Sequence, residues 1–282
     1  MKRYSLNVRT FVFIFDWLPP ITMLKPISLL LFLFLLCSIP ARAQDTTYAS
    51  TPGFSWKKHQ SANFTYYAES GTFPDQHIDI IKSGAEQGRR AIFSFLGATQ
   101  TGNNAIFVVH SRERMKALIG LDVQGFAIAE KKVLFLLYSE VYKPAISHEL
   151  CHLYAFQILG PPKDAWINEG LAVYYDGTWS GYSIDLLAKH LKDNRKLFKL
   201  TALFKNLYDK NAMIAYPQIG SFTRYLAETY GMNRLKQFWT GGMKEASTIF
   251  GKKPAALEKE WLASLEKYDA RGITYLSDLA KQ

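Results

Sequence analysis

The segment His148-Glu149-Leu150-Cys151-His152 constrains this chain more than any other feature. Its two histidines stand four positions apart. On an α-helix that spacing puts both imidazoles on one face, one turn apart. The flanking residues favour the helix. Ile146, Leu150 and Leu153 fall at i, i+4 and i+7 and make a core-facing apolar stripe. Pro144 suits the first turn of a helix, and Gly160-Pro161-Pro162 stops it. A second helix is predicted over Ala165–Tyr175, folded back by that turn.

Two neutral imidazoles so placed can share one tetrahedral zinc ion. Glu149, beside the first histidine, can reach a water at such an ion without ligating it. Glu169 lies 17 positions after His152 on the second helix and is the candidate third ligand. Three protein ligands and an open fourth position describe a catalytic zinc site. A closed four-ligand structural site is less natural, because no further Cys or His is nearby.

The rest of the chain predicts an α+β fold: a small mixed sheet followed by a mainly helical half. Ser61–Ala68 reads as a first strand, Ala105–Val109 as a buried strand, and Gly125–Ala129 and Lys132–Tyr138 as two more strands. A helix is predicted from Pro74 to Leu96, stopped by Gly97, and a short helix or loop over Arg112–Leu118. Further helices are predicted at Ile184–Asp193, Gln218–Tyr230, Asn233–Thr240 and Pro254–Tyr268.

The N-terminus is read separately. Ile27–Ile39 is an almost unbroken apolar run, preceded by Lys25 and followed by Pro40 and Ala41-Arg42-Ala43. A basic start, a short apolar core and an A-x-A site describe a secretory signal peptide over residues 1–43. The run falls short of the roughly 20 residues a membrane span needs, so no stable span is expected in the mature chain; an uncleaved anchor is the alternative. Met23 would start a signal of ordinary length, so residues 1–22 read as an upstream start. Residues 44–60 read as a short segment before a domain at 61–282. Export to the periplasm or beyond the cell follows.

Of the formal charge of +10, five bases and one acid in residues 1–43 carry +4, leaving +6. No Lys/Arg–aromatic stripe accompanies it, so no nucleic-acid partner is expected. Nothing sets an oligomeric state. Cys151 alone of the two cysteines follows the signal, so the mature chain forms no intramolecular disulfide.

His-Glu-Leu-Cys-His followed by Trp166-Ile-Asn-Glu-Gly-Leu-Ala172 resembles the gluzincin metallopeptidases, the peptidase MA-like group. The resemblance implies a zincin-like domain with His148, His152 and Glu169 as zinc ligands and Glu149 as general base. It covers about Ser61 to Gly241 in layout, with the specific motifs confined to His148–Ala172. The Gly-x-Met-Glu-Asn motif of aminopeptidase-type exopeptidases is absent, and the spacer from His152 to Glu169 is slightly shorter than in the best-known members. The implied activity is hydrolysis of peptide bonds in peptide or protein substrates, as an endopeptidase. A non-catalytic zincin-fold binding protein and an envelope amidase are the alternatives.

An oxyanion donor is expected on general grounds. Tyr216 resembles the tyrosine that precedes a helix downstream of the glutamate ligand in such enzymes; Tyr174 and Tyr175 are weaker candidates. Gly125–Ala129 reads either as an edge strand for substrate backbone, with Gly125 permitting close approach, or as a buried strand. Asn168 reads as capping or ordering the second helix, Trp166 as packing beneath the site, and Cys151 as a small buried residue. His59, His77, His110 and His190 read as surface or structural.

Overall fold

Two apolar runs, Asn104–Val109 and Val133–Leu137, are buried along their whole length and set the architecture. A strand buried on both faces loses the alternation of a half-exposed one. In the computed structural model, which describes residues 47–279, both faces of these strands are covered. Ile106, Val108, Leu134 and Leu136 face the helices, while Phe107, Val109, Phe135 and Leu137 face a smaller second cluster. The signal-peptide reading of residues 1–43 lies outside the described residues.

The sheet has five strands in the order β1-β2-β3-β5-β4. They are β1 (Trp56–Gln60), β2 (Phe64–Glu69), β3 (Asn104–Val109), β4 (Gly125–Ile128) and β5 (Val133–Leu137). The central three are parallel, and both edge strands run antiparallel to their neighbours. Helices α1 (Phe73–Gln76) and α2 (Ile78–Leu96) link β2 to β3, and α3 (Arg112–Ile119) follows β3.

The predicted strand at 61–68 is β2, which begins at Phe64. β1 precedes it, inside the segment read from sequence as lying before the domain. Its two lysines and mostly solvent-facing pattern belong to a guarded sheet edge and hide the strand signal. Tyr48, earlier still, packs its ring on Phe107 and Phe135 at 5.9 and 4.8 Å. The domain therefore takes in residues ahead of 61. The single helix predicted from Pro74 is broken at His77, whose backbone (φ −116°, ψ 25°) leaves the helical region. Gly97 ends α2 in the left-handed conformation (φ 59°), as its sequence position suggests.

The helical half follows. Helix α4 (Ile146–Leu159) and helix α5 (Ala165–Asp176) form an antiparallel hairpin. Helix α4 begins at Ile146, after Pro144, with Ala145 at its N-cap. A two-stranded ribbon, β6 (Thr178–Trp179) and β7 (Tyr182–Ser183), leads to α6 (Ile184–Asp193), α7 (Leu200–Lys205) and α8 (Ala212–Tyr230). Then come α9 (Met232–Gly241), α10 (Ala246–Phe250), α11 (Pro254–Ser264) and α12 (Tyr275–Leu279). Trp166, Trp239 and Trp261 are fully buried in this half. Among the described residues no helix is long and apolar enough to cross a membrane.

Helix α8 starts six residues before the predicted Gln218, because Pro217 lies inside it. A proline cannot donate to the carbonyl four residues back, here Met213. The Tyr275 hydroxyl from α12 donates to that carbonyl at 2.6 Å and satisfies it. Helices α5 and α8 cross where glycine faces helix. A Cβ on Gly170 would collide with Thr223, and one on Gly220 would collide with Val173. Two reciprocal glycines thus let the backbones approach more closely than side chains would permit.

Candidate metal centre

Helix α4 is apolar around most of its circumference and runs through the core, with Leu150, Cys151, Leu153, Tyr154 and Ala155 buried. His148 and His152 project from it side by side, their rings 4.8 Å apart and nearly perpendicular. Helix α5 returns alongside and brings Glu169 to both. Its Oε2 lies 3.5 Å from Nε2 of His148 and 3.5 Å from Nε2 of His152. The three ligand-type atoms fall within 4.8 Å of one another. Two ligands bound at about 2.0–2.2 Å to one tetrahedral ion sit about 3.4 Å apart. The spacing and the donor set, two imidazoles and a carboxylate, both fit zinc.

The outer ring nitrogens are held as well. His148 Nδ1 is 2.9 Å from Asp176 Oδ2, and His152 Nδ1 is 3.0 Å from Asn168 Oδ1. When Nδ1 carries the hydrogen and donates to these oxygens, Nε2 is left as the free lone pair, which a metal requires. Asn168, read from sequence as a cap of the second helix, is therefore an orienting partner of His152. The α5 N-cap position belongs to Asp164.

Asp176 was not singled out in the sequence, although the hairpin contains the signal. Residues of α4 and α5 pair antiparallel about the turn at 160–164, so a partner for His148 is required near the C-terminal end of α5. Asp176 is also seven positions after Glu169, two turns on and on the same face.

The electrostatics follow from burial and charge together. Burial works against a charged His148, yet the carboxylates of Asp176, Glu169 and Glu149 outweigh it and carry the pKa up to about 10. His152 shifts the same way, drawn up by Glu169 and Glu149 against burial. Burial raises Glu169, but its hydrogen bonds to the two histidines more than offset this and hold it well below the usual carboxylate range. Glu149 goes the other way. Burial pushes its carboxyl up, and the histidines only partly oppose that.

Glu149 is packed against β4. A Cβ on Gly125 would lie 2.5 Å from Glu149 Oε1 and 2.7 Å from Cγ. The close approach that Gly125 permits is thus that of the Glu149 side chain. The strand itself occupies the sheet edge.

Tyr216 lies within the first turns of α8 rather than ahead of the helix, half-buried, with its ring 5.2 Å from that of Trp179. Burial raises its pKa, and the charges of Glu169 and Glu149 raise it further, which puts the phenol in the field of the centre. Tyr174 and Tyr175 face elsewhere. Both rings pack on Phe95, and the Tyr175 hydroxyl points to the Gly88 carbonyl. Trp166 packs beneath α5 against Phe204, Phe222 and Phe238.

Cys151 is buried and free. The remaining histidines lie away from the centre. His59 and His110 pair with Asp75 and Glu69, His77 stacks on Phe73, and His190 is buried on α6. Tyr208 was missed entirely. It stands in a Leu207–Asp209 turn with no motif, and its hydroxyl donates to Glu169 Oε1 at 3.1 Å.

No curated protein sequence matches the chain. Two solved structures of an M1 zinc metallopeptidase from Deinococcus radiodurans are similar to it. One is described as a mutant bound to a Tyr-Ser-Ala substrate, with a TM-score of 0.41. The other has a TM-score of 0.42. Each is 14% identical over 73% of this chain, and this chain spans 50% of their length. Residues 137–267 match the family described as the Peptidase MA superfamily. That match takes in the helices that carry His148, His152 and Glu169, and also Tyr216, and it agrees with the resemblance to the peptidase MA-like group read from the sequence.

Proposed function

We propose that the protein is an exported zinc metallopeptidase that hydrolyses internal peptide bonds. The observation that carries the reading is the convergence of His148, His152 and Glu169. Their ligand atoms are spaced for one ion, and both imidazoles are oriented from behind. His148, His152 and Glu169 would hold the zinc. A zinc ion there supplies Lewis acidity, which polarises a scissile carbonyl and makes water a usable nucleophile near neutral pH.

Glu149 is the general base and then the general acid. It takes the proton from the attacking water as the new C–O bond forms. It delivers that proton to the amine as the C–N bond breaks. Burial against β4 raises its proton affinity, which suits a group that must both accept and release a proton. Tyr216 donates its hydroxyl hydrogen to the oxygen on which negative charge develops. The edge strand β4, with Gly125 against Glu149, offers free backbone groups along which an extended peptide can lie. The endopeptidase assignment is supported by the missing Gly-x-Met-Glu-Asn motif, and export by the apolar run at 27–39 with its A-x-A site.

Glu149→Gln tests the reading. The variant should retain a full equivalent of zinc and lose at least about 100-fold in hydrolysis of a denatured protein substrate, the range expected of a general base. Loss of the metal together with the activity would move Glu149 out of the base role. Wild-type protein that binds zinc yet cleaves nothing across peptide libraries would refute the peptidase reading.

A further inference from the structure

Resting on that metal-centre reading, we propose that Tyr208 is a positioning residue that makes Glu169 present a single oxygen to the metal. The two oxygens of Glu169 have separate partners. Oε2 faces both imidazoles at 3.5 Å, and Oε1 accepts the Tyr208 hydroxyl at 3.1 Å. A carboxylate free to rotate can offer either oxygen or both. A donor fixed on Oε1 occupies that oxygen and leaves Oε2 aimed between the histidines. The phenol does for the glutamate what Asp176 and Asn168 do for the imidazoles, and the three ligands are then all held from behind.

The surroundings of Tyr208 favour this role over a packing one. Tyr208 is 65% exposed, whereas the preceding Leu207 is 4% exposed and anchors the turn in the core. The turn is tied at its other end. Lys210 N donates to Leu207 O, and Asn211 caps α8 by accepting from Met213 N. An anchored turn therefore projects a large, mostly solvated ring whose hydroxyl reaches a nearly buried carboxylate. Burial of the ring gains little for the fold, so its contribution falls on Glu169.

The test is a zinc competition titration against a chelator on the full chain, with thermal unfolding of the metal-free protein in parallel. Tyr208→Phe should weaken zinc binding about ten-fold, the lower end of what outer-shell partners contribute. It should leave the melting temperature of the metal-free protein unchanged. Zinc affinity equal to wild type would overturn the proposal, as would a metal-free melting temperature lowered enough to show a structural role. His148→Ala separates this proposal from the reading beneath it. If His148→Ala abolishes binding while Tyr208→Phe matches wild type, only the Tyr208 role falls. If wild type takes up no zinc, or His148→Ala binds it as wild type does, the metal centre falls and Tyr208 with it.

Discussion

The two sides of the candidate metal centre are built differently. The histidines stand on a helix buried through the core and are oriented by Asp176 and Asn168 on the adjacent helix. Glu169 is met instead by an exposed tyrosine on a three-residue turn. One side is set by helix packing and can change only if α4 and α5 separate. The other adds one hydrogen bond at the rim to the contacts Glu169 makes with the two imidazoles. Two of the three candidate ligands are thus held from within the core, and the third is held partly from the rim.

The widest gap between the two sides should show at Asp176. Asp176→Ala is expected to weaken zinc binding toward 100-fold, because it removes a charged partner, and Asn168→Ala nearer ten-fold. Competition titration reads both. An Asp176→Ala cost no larger than that of Tyr208→Phe would mean that the two sides are held alike, and the contrast would be gone.

Proton linkage sharpens the same comparison. Without metal, His148 titrates at about 10, above its ordinary 6.5. A raised pKa contributes stability that is fully present below about pH 6.5 and is lost as pH rises through about 10. Glu169 is depressed from 4.5, so its contribution is present above that value and is lost as pH falls further. The metal-free protein should therefore melt highest between about pH 4.5 and 6.5 on account of these groups, with its melting temperature falling toward pH 10. Zinc binding must displace the histidine protons, so affinity should rise as pH goes from about 6.5 toward 10, where the metal-free protein loses stability. Melting scans in chelator and zinc titrations across pH measure the two trends, and parallel slopes would contradict the linkage.

The smallest expected effect on zinc binding lies away from the candidate ligands. Tyr275→Phe strips the Met213 carbonyl of its partner beside Pro217 and should cost about 1–3 kcal/mol in chemical denaturation. Zinc affinity should not move. A loss of affinity there would tie the α8 start to the ligands more closely than the packing indicates.

What was legible in the sequence follows from the range of the interactions. His148, Glu149 and His152 sit within one helical turn, so their juxtaposition is local and their spacing announces it. Glu169 required one further step, a turn that folds the next helix back, and Gly160-Pro161-Pro162 supplies it. Asp176 needed the pairing of the whole hairpin, and Asn168 was read in its local capping role because a distant imidazole leaves no local mark. Tyr208 depends on how a turn between two later helices lies over the site, and no periodicity encodes that. The same limit explains α8. Pro217 reads as a break until Tyr275, 58 positions on, is seen to take the orphaned carbonyl. β1 escaped because an edge strand with lysines outward has almost no apolar alternation.

The reciprocal glycines at 170 and 220 have a mechanical consequence. With each backbone seated against the other helix, α5 and α8 cannot slide or roll without driving Thr223 or Val173 into a wall. Glu169, next to one glycine, and Tyr216, one turn before the other, therefore travel as a single rigid body. Any shift of Glu169 relative to Tyr216 therefore requires its side chain, not its helix, to move.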